Sequence, residues 1–225
     1  MQIAIVGAGF TPGEADRLRK AMGGYKGKVT VPVWITGDAV INESHEIAER
    51  ADAEGNAQKL FLEGRDADMA DASALAHRIC DAARGRSLVR VLDDRAAVKE
   101  ALPKMVTRIP LVSGTVGRTV LKRFNAKYGI VKERYEEFHQ QERKALLALR
   151  DMVTTAKEAG RITLYERFSY ADVALGLALN LVKPLPGSPM GPASTRCATD
   201  AEIGAEFADL LEWRDALDAE VGLLP

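Results

Sequence analysis

The chain is short of most things that mark a specialised protein. Of its 225 residues only two are cysteines, Cys80 and Cys197, far apart in sequence. Two such thiols exclude a disulfide scaffold and form no CxxC pair, so both read as reduced thiols of a cytosolic protein. Three histidines, His45, His77 and His139, show no metal-ligand spacing, and no metal is expected. Charge of one sign is also missing. With 31 basic and 32 acidic side chains the formal charge is −1, which offers no bulk attraction for nucleic acid or an anionic membrane. Either partner would need a local patch, and neither is expected. Long apolar runs are absent too. The longest, VALGLALNLV near position 180, carries Asn180 and falls far short of the ~20 residues of a membrane span. The opening MQIAIVGAGF lacks a basic n-region and is broken early by glycine, so it does not read as a signal peptide. What remains is an ordinary globular composition, 47% hydrophobic and 28% charged, with length enough for a core that folds unaided. A cytoplasmic location is expected.

The first sixty residues differ from the rest. Gln2–Val6 is a β-branched run, Pro12–Met22 carries helical patterning, and Val29–Thr36 (VTVPVWIT) is rich in strand formers. Gly37–Asp38 separates that strand from Ala39–Asn42, a hairpin signal. Ser44 to Ala53 reads as a helix, which completes a β-α-β-β-α order. From Asp66 onward strand signals nearly vanish. Helical spacing runs through Met69–Ala83, Ala96–Leu102, Val116–Tyr128 and Val131–Ala159, the last ending at Gly160 as its stop. Further helices are expected over Tyr170–Val182 and Ala201–Val221, separated by a proline- and glycine-rich loop, Pro184–Pro192. The boundary falls in Asn56–Arg65, giving an α/β unit over 1–58 and an all-helical unit over 66–222.

Several motifs carry both a structural and a chemical reading. IAIVGAGFTPG looks like a strand entering the glycine-rich turn of a dinucleotide site. Gly7 and Gly9 fit that spacing, but Pro12 stands where the third glycine belongs and Gly13 comes one step late. No further βαβ units follow, so a dinucleotide-binding oxidoreductase is the weakest functional reading. Pro32, inside a strand pattern, removes a ladder donor; it marks either an edge strand or a stretch of backbone turned to a ligand. In Asn42-Glu43-Ser44, Ser44 is placed to cap the following helix, and the same amides attract carboxylates. Ser169 and Asp172 form a capping box with aspartate in place of glutamate. In FADLLEWR, Phe207, Leu210, Leu211 and Trp213 form an apolar core face, with Arg214 able to reach a carboxylate. The basic residues Arg118, Lys122, Arg123 and Lys127 read most simply as a solvated helix face, with an anionic ligand as the weaker alternative.

Taken together, KVTVPVWITGDAVINESHEIAERAD (Lys28–Asp52), ERFSYADVALGLALNLVKP (Glu166–Pro184) and EFADLLEWRDAL (Glu206–Leu217) resemble the glutathione transferase superfamily, particularly its bacterial members. The resemblance implies an α/β, thioredoxin-like N-terminal domain followed by an all-α domain. It implies that the backbone of Val31, next to Pro32, pairs with the cysteinyl part of glutathione, and that Glu43 and Ser44 hold its γ-glutamyl end. Lys28 would assist with the glycyl carboxylate. The chemistry agrees: an extended peptide suits an exposed strand, and its α-carboxylate and ammonium suit a helix start and a glutamate. A homodimer, glutathione as co-substrate and a small electrophile as acceptor are further implications. The family's thiol-activating Tyr, Ser or Cys follows its first strand. If Gln2–Val6 is that strand, Thr11 lies near the activating position but a strand and helix are missing before Pro32. If Gln2–Val6 is the second strand, the preferred alignment, the first strand and helix are absent and Thr11 and Tyr25 have no role. A non-catalytic binding protein of the same fold is the alternative to a transferase.

Overall fold

The β-branched and aromatic residues of Val33–Thr36 (VWIT) suit a pleated, buried backbone, and they form the central strand of a small sheet. The computed structural model describes residues 2–4, 20, 32–36, 39–41, 43–102, 116–188 and 190–222. Strands β1 (Gln2–Ala4), β2 (Val33–Thr36) and β3 (Ala39–Ile41) pair antiparallel in the order β1-β2-β3. Ile3 lies opposite Trp34, and Trp34 opposite Ile41. Val33 and Trp34 are adjacent and face opposite sides of the sheet, yet both are buried, so β2 is covered on both faces. Helix α1 (Ser44–Glu54) follows β3.

The segment after α1, expected as the inter-unit boundary, folds back on that helix. Asp52 accepts the backbone N–H of Leu60 at 2.6 Å and of Phe61 at 3.3 Å. The Lys59 ammonium donates to the carbonyls of Ala53 and Gly55, at 3.1 and 2.8 Å, and of Asp52. A cation on the last carbonyls of a helix satisfies acceptors that have no intrahelical partner. The chain divides into two compact units, Met1–Asp66 and Ala67–Pro225.

The second unit is helical throughout its described residues: α2 (Asp66–Val91), α3 (Arg95–Ala101), α4 (Gly117–Lys127), α5 (Tyr135–Glu158), α6 (Tyr170–Ala178), α7 (Pro192–Ala198), α8 (Ala201–Glu206) and α9 (Ala208–Val221), with 3-10 turns at Lys132–Arg134 and Leu179–Leu181. Alanine-rich α2 buries Met69, Ala72, Ile79, Ala83 and Arg86. Its small residues let neighbours approach closely: a Cβ on Gly85 would lie 2.7 Å from the Phe138 ring of α5. Leu146, Leu149, Leu175, Ile203, Leu210 and Leu217 complete a core from which solvent is excluded.

Two caps fix the long helices. Gly160, at φ +70°, ends α5; its N–H reaches Lys157 O at 2.9 Å and the N–H of Arg161 reaches Ala156 O at 2.9 Å, the double bond of a Schellman stop. At the start of α6, Ser169 and Asp172 form the expected capping box, both fully buried.

Three sequence expectations need correction. The single helix expected over Ala201–Val221 is two, broken at Phe207, whose backbone leaves helical geometry (φ −113°, ψ 33°) while its side chain is wholly buried. Helix α7 was expected as part of no element. It starts on Pro192 and is capped from α3, Glu100 accepting the N–H groups of Ala193 and Ser194 at 3.1 and 2.8 Å. Such a cap comes from residues far away in sequence, so no local pattern announces it. Pro32 is not on an edge strand: β2 is central, and the proline sits before its first paired residue, where no ladder bond is lost. The helix expected over Pro12–Met22, apart from the helical Lys20, and the Gly37–Asp38 turn lie outside the described residues.

The break at Phe207 is held from outside by Arg150. Its guanidinium lies 4.4 Å from the Phe207 ring centroid, donates to Glu206 O, and grips Asp209 through two bonds of 2.8 and 2.6 Å. Arg150 holds the Asp209 carboxyl below the usual carboxylate range. A carboxyl depressed in the folded state contributes stability above its unfolded pKa of about 3.9 and loses it as pH falls through the folded value. Asp209→Asn is therefore expected to lower stability slightly at neutral pH. Because the pair is partly exposed, the loss is no more than about 1 kcal/mol. Urea titrations across the acid range check the sign: the gap between the variant and the unaltered chain closes below about pH 4. A gap of constant size would refute the assignment.

Candidate functional site

The residues expected to bind a ligand in the α/β unit are Val31, Pro32, Glu43 and Ser44. Val31 lies outside the described residues. Pro32 is a half-buried bend leading into β2, and Glu43 and Ser44 stand at the junction of β3 and α1. Helix α1 has no side-chain cap. The expected capping role of Ser44 is not realised, because the extended residue at the cap position is Glu43 (φ −98°, ψ 125°) and Ser44 is already helical. A capping hydroxyl must come from the non-helical residue before the first turn. Glu43 contributes only its carbonyl, which accepts from Ile47 N at 3.0 Å, and its carboxylate is exposed. The first-turn N–H groups of any helix lack intrahelical acceptors, and at this start the N-cap side chain, Glu43, does not supply one and leaves its carboxylate exposed. Under β2 the Trp34 indole N–H is buried and has no hydrogen-bond acceptor among the described residues.

The helical unit holds its ionisable groups in structural roles. Asp172 Oδ1 accepts Leu164 N at 2.8 Å, and Oδ2 accepts Ser169 N and Oγ at 2.9 and 2.8 Å. Burial pushes its carboxyl up, and these hydrogen bonds pull the other way. Arg214, expected to reach a carboxylate, contacts Asp215 at 2.9 and 2.6 Å and also donates to the carbonyls of Leu179 and Lys183. Phe207, Leu210, Leu211 and Trp213 are buried as expected, and the Trp213 N–H donates to Ile162 O at 2.7 Å.

Sequence reasoning missed a buried ionic hub. Arg86 of α2 donates to Glu142 of α5 at 2.6 and 3.1 Å, both side chains being wholly buried, and to Ala198 O and Leu181 O at 3.0 and 3.4 Å. Its Nη1 lies 3.3 Å from Asp200 Oδ2, an ion-pair distance without hydrogen-bond geometry. Asp200 in turn caps α8 through Glu202 N and Ile203 N, both at 3.1 Å. Burial pushes the Glu142 carboxyl up against the opposing pull of Arg86. A signal was present: Ile79, Ala83 and Arg86 follow helical spacing, which puts the arginine on the core face. The hub joins five helical segments through wholly buried Arg86 and Glu142 side chains, so its role is architectural.

Neither thiol is a nucleophile in waiting. Burial pushes both Cys80 and Cys197 up, which keeps them as thiols at neutral pH. Among the described residues no group of three or more His, Cys, Asp or Glu is placed to hold a metal ion, and no helix is long and apolar enough to cross a membrane. An open recess of about 350 Å³ between α5 and α9 is lined by residues that include Lys157, Arg161, Glu212 and Trp213 and by none of the expected site residues. The glycine motif of Gly7, Gly9, Pro12 and Gly13 lies outside the described residues, as do Thr11, Tyr25 and Lys28. The described sheet is antiparallel rather than the parallel sheet a dinucleotide fold uses.

No family model matches the chain, and no solved structure does. Short stretches are similar to error-prone DNA polymerases. One from Aromatoleum aromaticum is 69% identical over 26 residues, 12% of this chain and 2% of the polymerase. Those of Burkholderia mallei and Burkholderia pseudomallei are 75% identical over 28 residues, 12% of this chain and 3% of each polymerase. The chain thus spans only 2–3% of the length of these relatives.

Proposed function

We propose that the chain is a glutathione transferase-like protein whose α/β unit binds glutathione. The observation that carries this reading is the start of α1, where the exposed Glu43 carboxylate and the Ser44 hydroxyl stand at the first turn and Glu43 spends no side-chain bond on capping it. That set is complementary to an α-amino acid end: the ammonium meets Glu43, and the carboxylate meets Ser44 and the amides. Pro32, a bend before the first residue of the central strand, offers no backbone N–H to a ladder, and this reading assigns the backbone beside it to pairing with an extended peptide. The capping box and the FADLLEWR core face are structural features that the same resemblance implies. In the full activity the glutathione thiolate forms a C–S bond to an electrophilic carbon as that carbon's bond to a leaving group, or the acceptor's π bond, breaks and takes up the displaced electron pair, and the thiol proton passes to solvent. A homodimer belongs to this reading.

A second reading keeps the binding and drops the conjugation. It is favoured by the state of the two cysteines, since burial holds Cys80 and Cys197 both protonated. The polymerase-like stretches support no third reading: 26–28 residues are fewer than the ~40 below which a chain rarely folds alone, and cannot carry a catalytic domain.

Calorimetry with glutathione, run beside a conjugation assay with a general electrophile, tests the proposal. Binding is expected, and Glu43→Gln and Ser44→Ala are each expected to weaken it about tenfold, the size of one hydrogen bond to a charged group. Binding without turnover selects the non-catalytic reading. Absence of binding, or affinity unchanged in both variants, overturns the site.

A further inference from the structure

Helix α4 has two apolar faces where a helix on the surface of a domain needs one. Gly117, Leu121 and Asn125 are buried, Leu121 joining a core cluster with Val91, Val98 and Cys197. Asn125 donates to Leu88 O at 3.4 Å, and Arg118 pairs with Asp93 at 2.7 Å. These contacts anchor the helix. A second row, Val116, Val120, Phe124 and Tyr128, recurs every four residues and stays about half exposed along its whole length. At 1.5 Å per residue the row is about 18 Å long. The Phe124 and Tyr128 rings pack at 5.1 Å, and Lys127 lies 6.0 Å from the Tyr128 ring centroid.

Charge says what this row faces. Residues 117–127 contain four basic side chains and no acidic one, in a chain whose formal charge is −1. Arg118 is neutralised by Asp93, whereas Lys122, Arg123 and Lys127 are exposed and make no ion pair among the described residues. An apolar row flanked by bare cations is complementary to an apolar surface that carries negative charge. A second copy does not fit, because a two-fold contact sets the same acid-free, cation-rich patch against itself, with no carboxylate of α4 to meet Lys122, Arg123 or Lys127. Aromatic rings with apolar bodies, one with a polar tip, beside long cationic side chains that can snorkel, match the headgroup layer of a bilayer.

We propose that the outer face of α4 is a peripheral docking site for an anionic lipid surface, with Phe124 and Tyr128 entering the headgroup region and Lys122, Arg123 and Lys127 pairing with lipid phosphates. The contact lies on the surface only, and it does not depend on the glutathione reading.

Sedimentation of the full chain with vesicles tests it. Binding is expected to phosphatidylcholine mixed with phosphatidylglycerol, not to phosphatidylcholine alone, and to weaken as salt is raised. Replacing Lys122, Arg123 and Lys127 together by glutamine is expected to reduce the binding about a hundredfold, since each basic group near the surface contributes about a fivefold factor. Phe124→Ser with Tyr128→Ser is expected to reduce it on the same vesicles. Both variants alter only exposed side chains, and helix content by circular dichroism confirms that they fold. Failure to sediment with anionic vesicles overturns the proposal and leaves the face to an acidic protein partner; so does equal binding by the unaltered chain and both variants.

Discussion

Arg86→Met is expected to lower the stability of the helical unit by about 3–5 kcal/mol, the cost of breaking a buried ion pair from one side. The arginine is wholly buried and serves Glu142, two carbonyls and the neighbourhood of Asp200 at once. Methionine fills much of the volume and supplies none of the donors. Glu142 is then left as a buried acid without a counter-charge, and Ala198 O loses its partner. The loss therefore comes from the groups left behind, not from the net value of the pair. Arg86→Met combined with Glu142→Leu distinguishes the two: with both charges gone, most of the stability is expected to return, since a packed apolar pair costs little relative to a buried ionic one. Urea unfolding of the three chains measures this. A single variant within about 1 kcal/mol of the unaltered chain would refute the hub, and a double variant as unstable as the single one would show that desolvated charge is not the cause.

The second large effect is expected at Asp172. Substitution by alanine removes a helix cap, typically worth about 1 kcal/mol, and strands the buried N–H groups of Leu164 and Ser169. An unsatisfied buried donor costs about 1–3 kcal/mol, so a total of about 2–4 kcal/mol is expected. Ser169→Ala removes the hydroxyl that accepts the Asp172 N–H and donates to its carboxylate, while that carboxylate keeps its two backbone donors, and about 1 kcal/mol is expected, the cost of a lost cap. Thermal or urea unfolding ranks the two. Equal losses would show that the box acts only as a helix cap and that the bond to Leu164, which ties the preceding loop to α6, contributes nothing.

These effects differ in how far they are visible before folding. The capping box is local: Ser169 and Asp172 are three residues apart, and their bonds close within one turn. The stop at Gly160 is local in the same way, as are the strands around Thr36 and Ala39, because backbone sterics and short hydrogen bonds act between near neighbours. Periodicity also placed most of the helices, and it put the FADLLEWR apolar face in the core.

Sequence patterns failed where the partner lies far along the chain. Helix α7 depends on Glu100 for its cap, 93 or 94 residues from the amides it serves. The break at Phe207 is fixed by Arg150, and Arg86 finds its partners 56 to 112 residues away. The α1 start shows the same limit on a small scale. Glu43 and Ser44 both suit the start of a helix, and only the backbone angles decide that Glu43 holds the cap position and leaves the cap unmade. On α4, spacing alone gave a solvated basic face; packing decided which apolar row is buried and left Val116, Val120, Phe124 and Tyr128 outside.

The sequence by itself determined a small strand-bearing unit followed by helices and the caps whose bonds close within a few residues. Composition, periodicity and hydrogen bonds over a few residues set those properties. Only the tertiary structure decided that the proline-led strand is central, that one arginine joins distant helices, and that α4 keeps an apolar row exposed. The physical reason is the same in each case: which side chains lose their water, and which charges must then meet, depends on neighbours that come together only when the chain has folded.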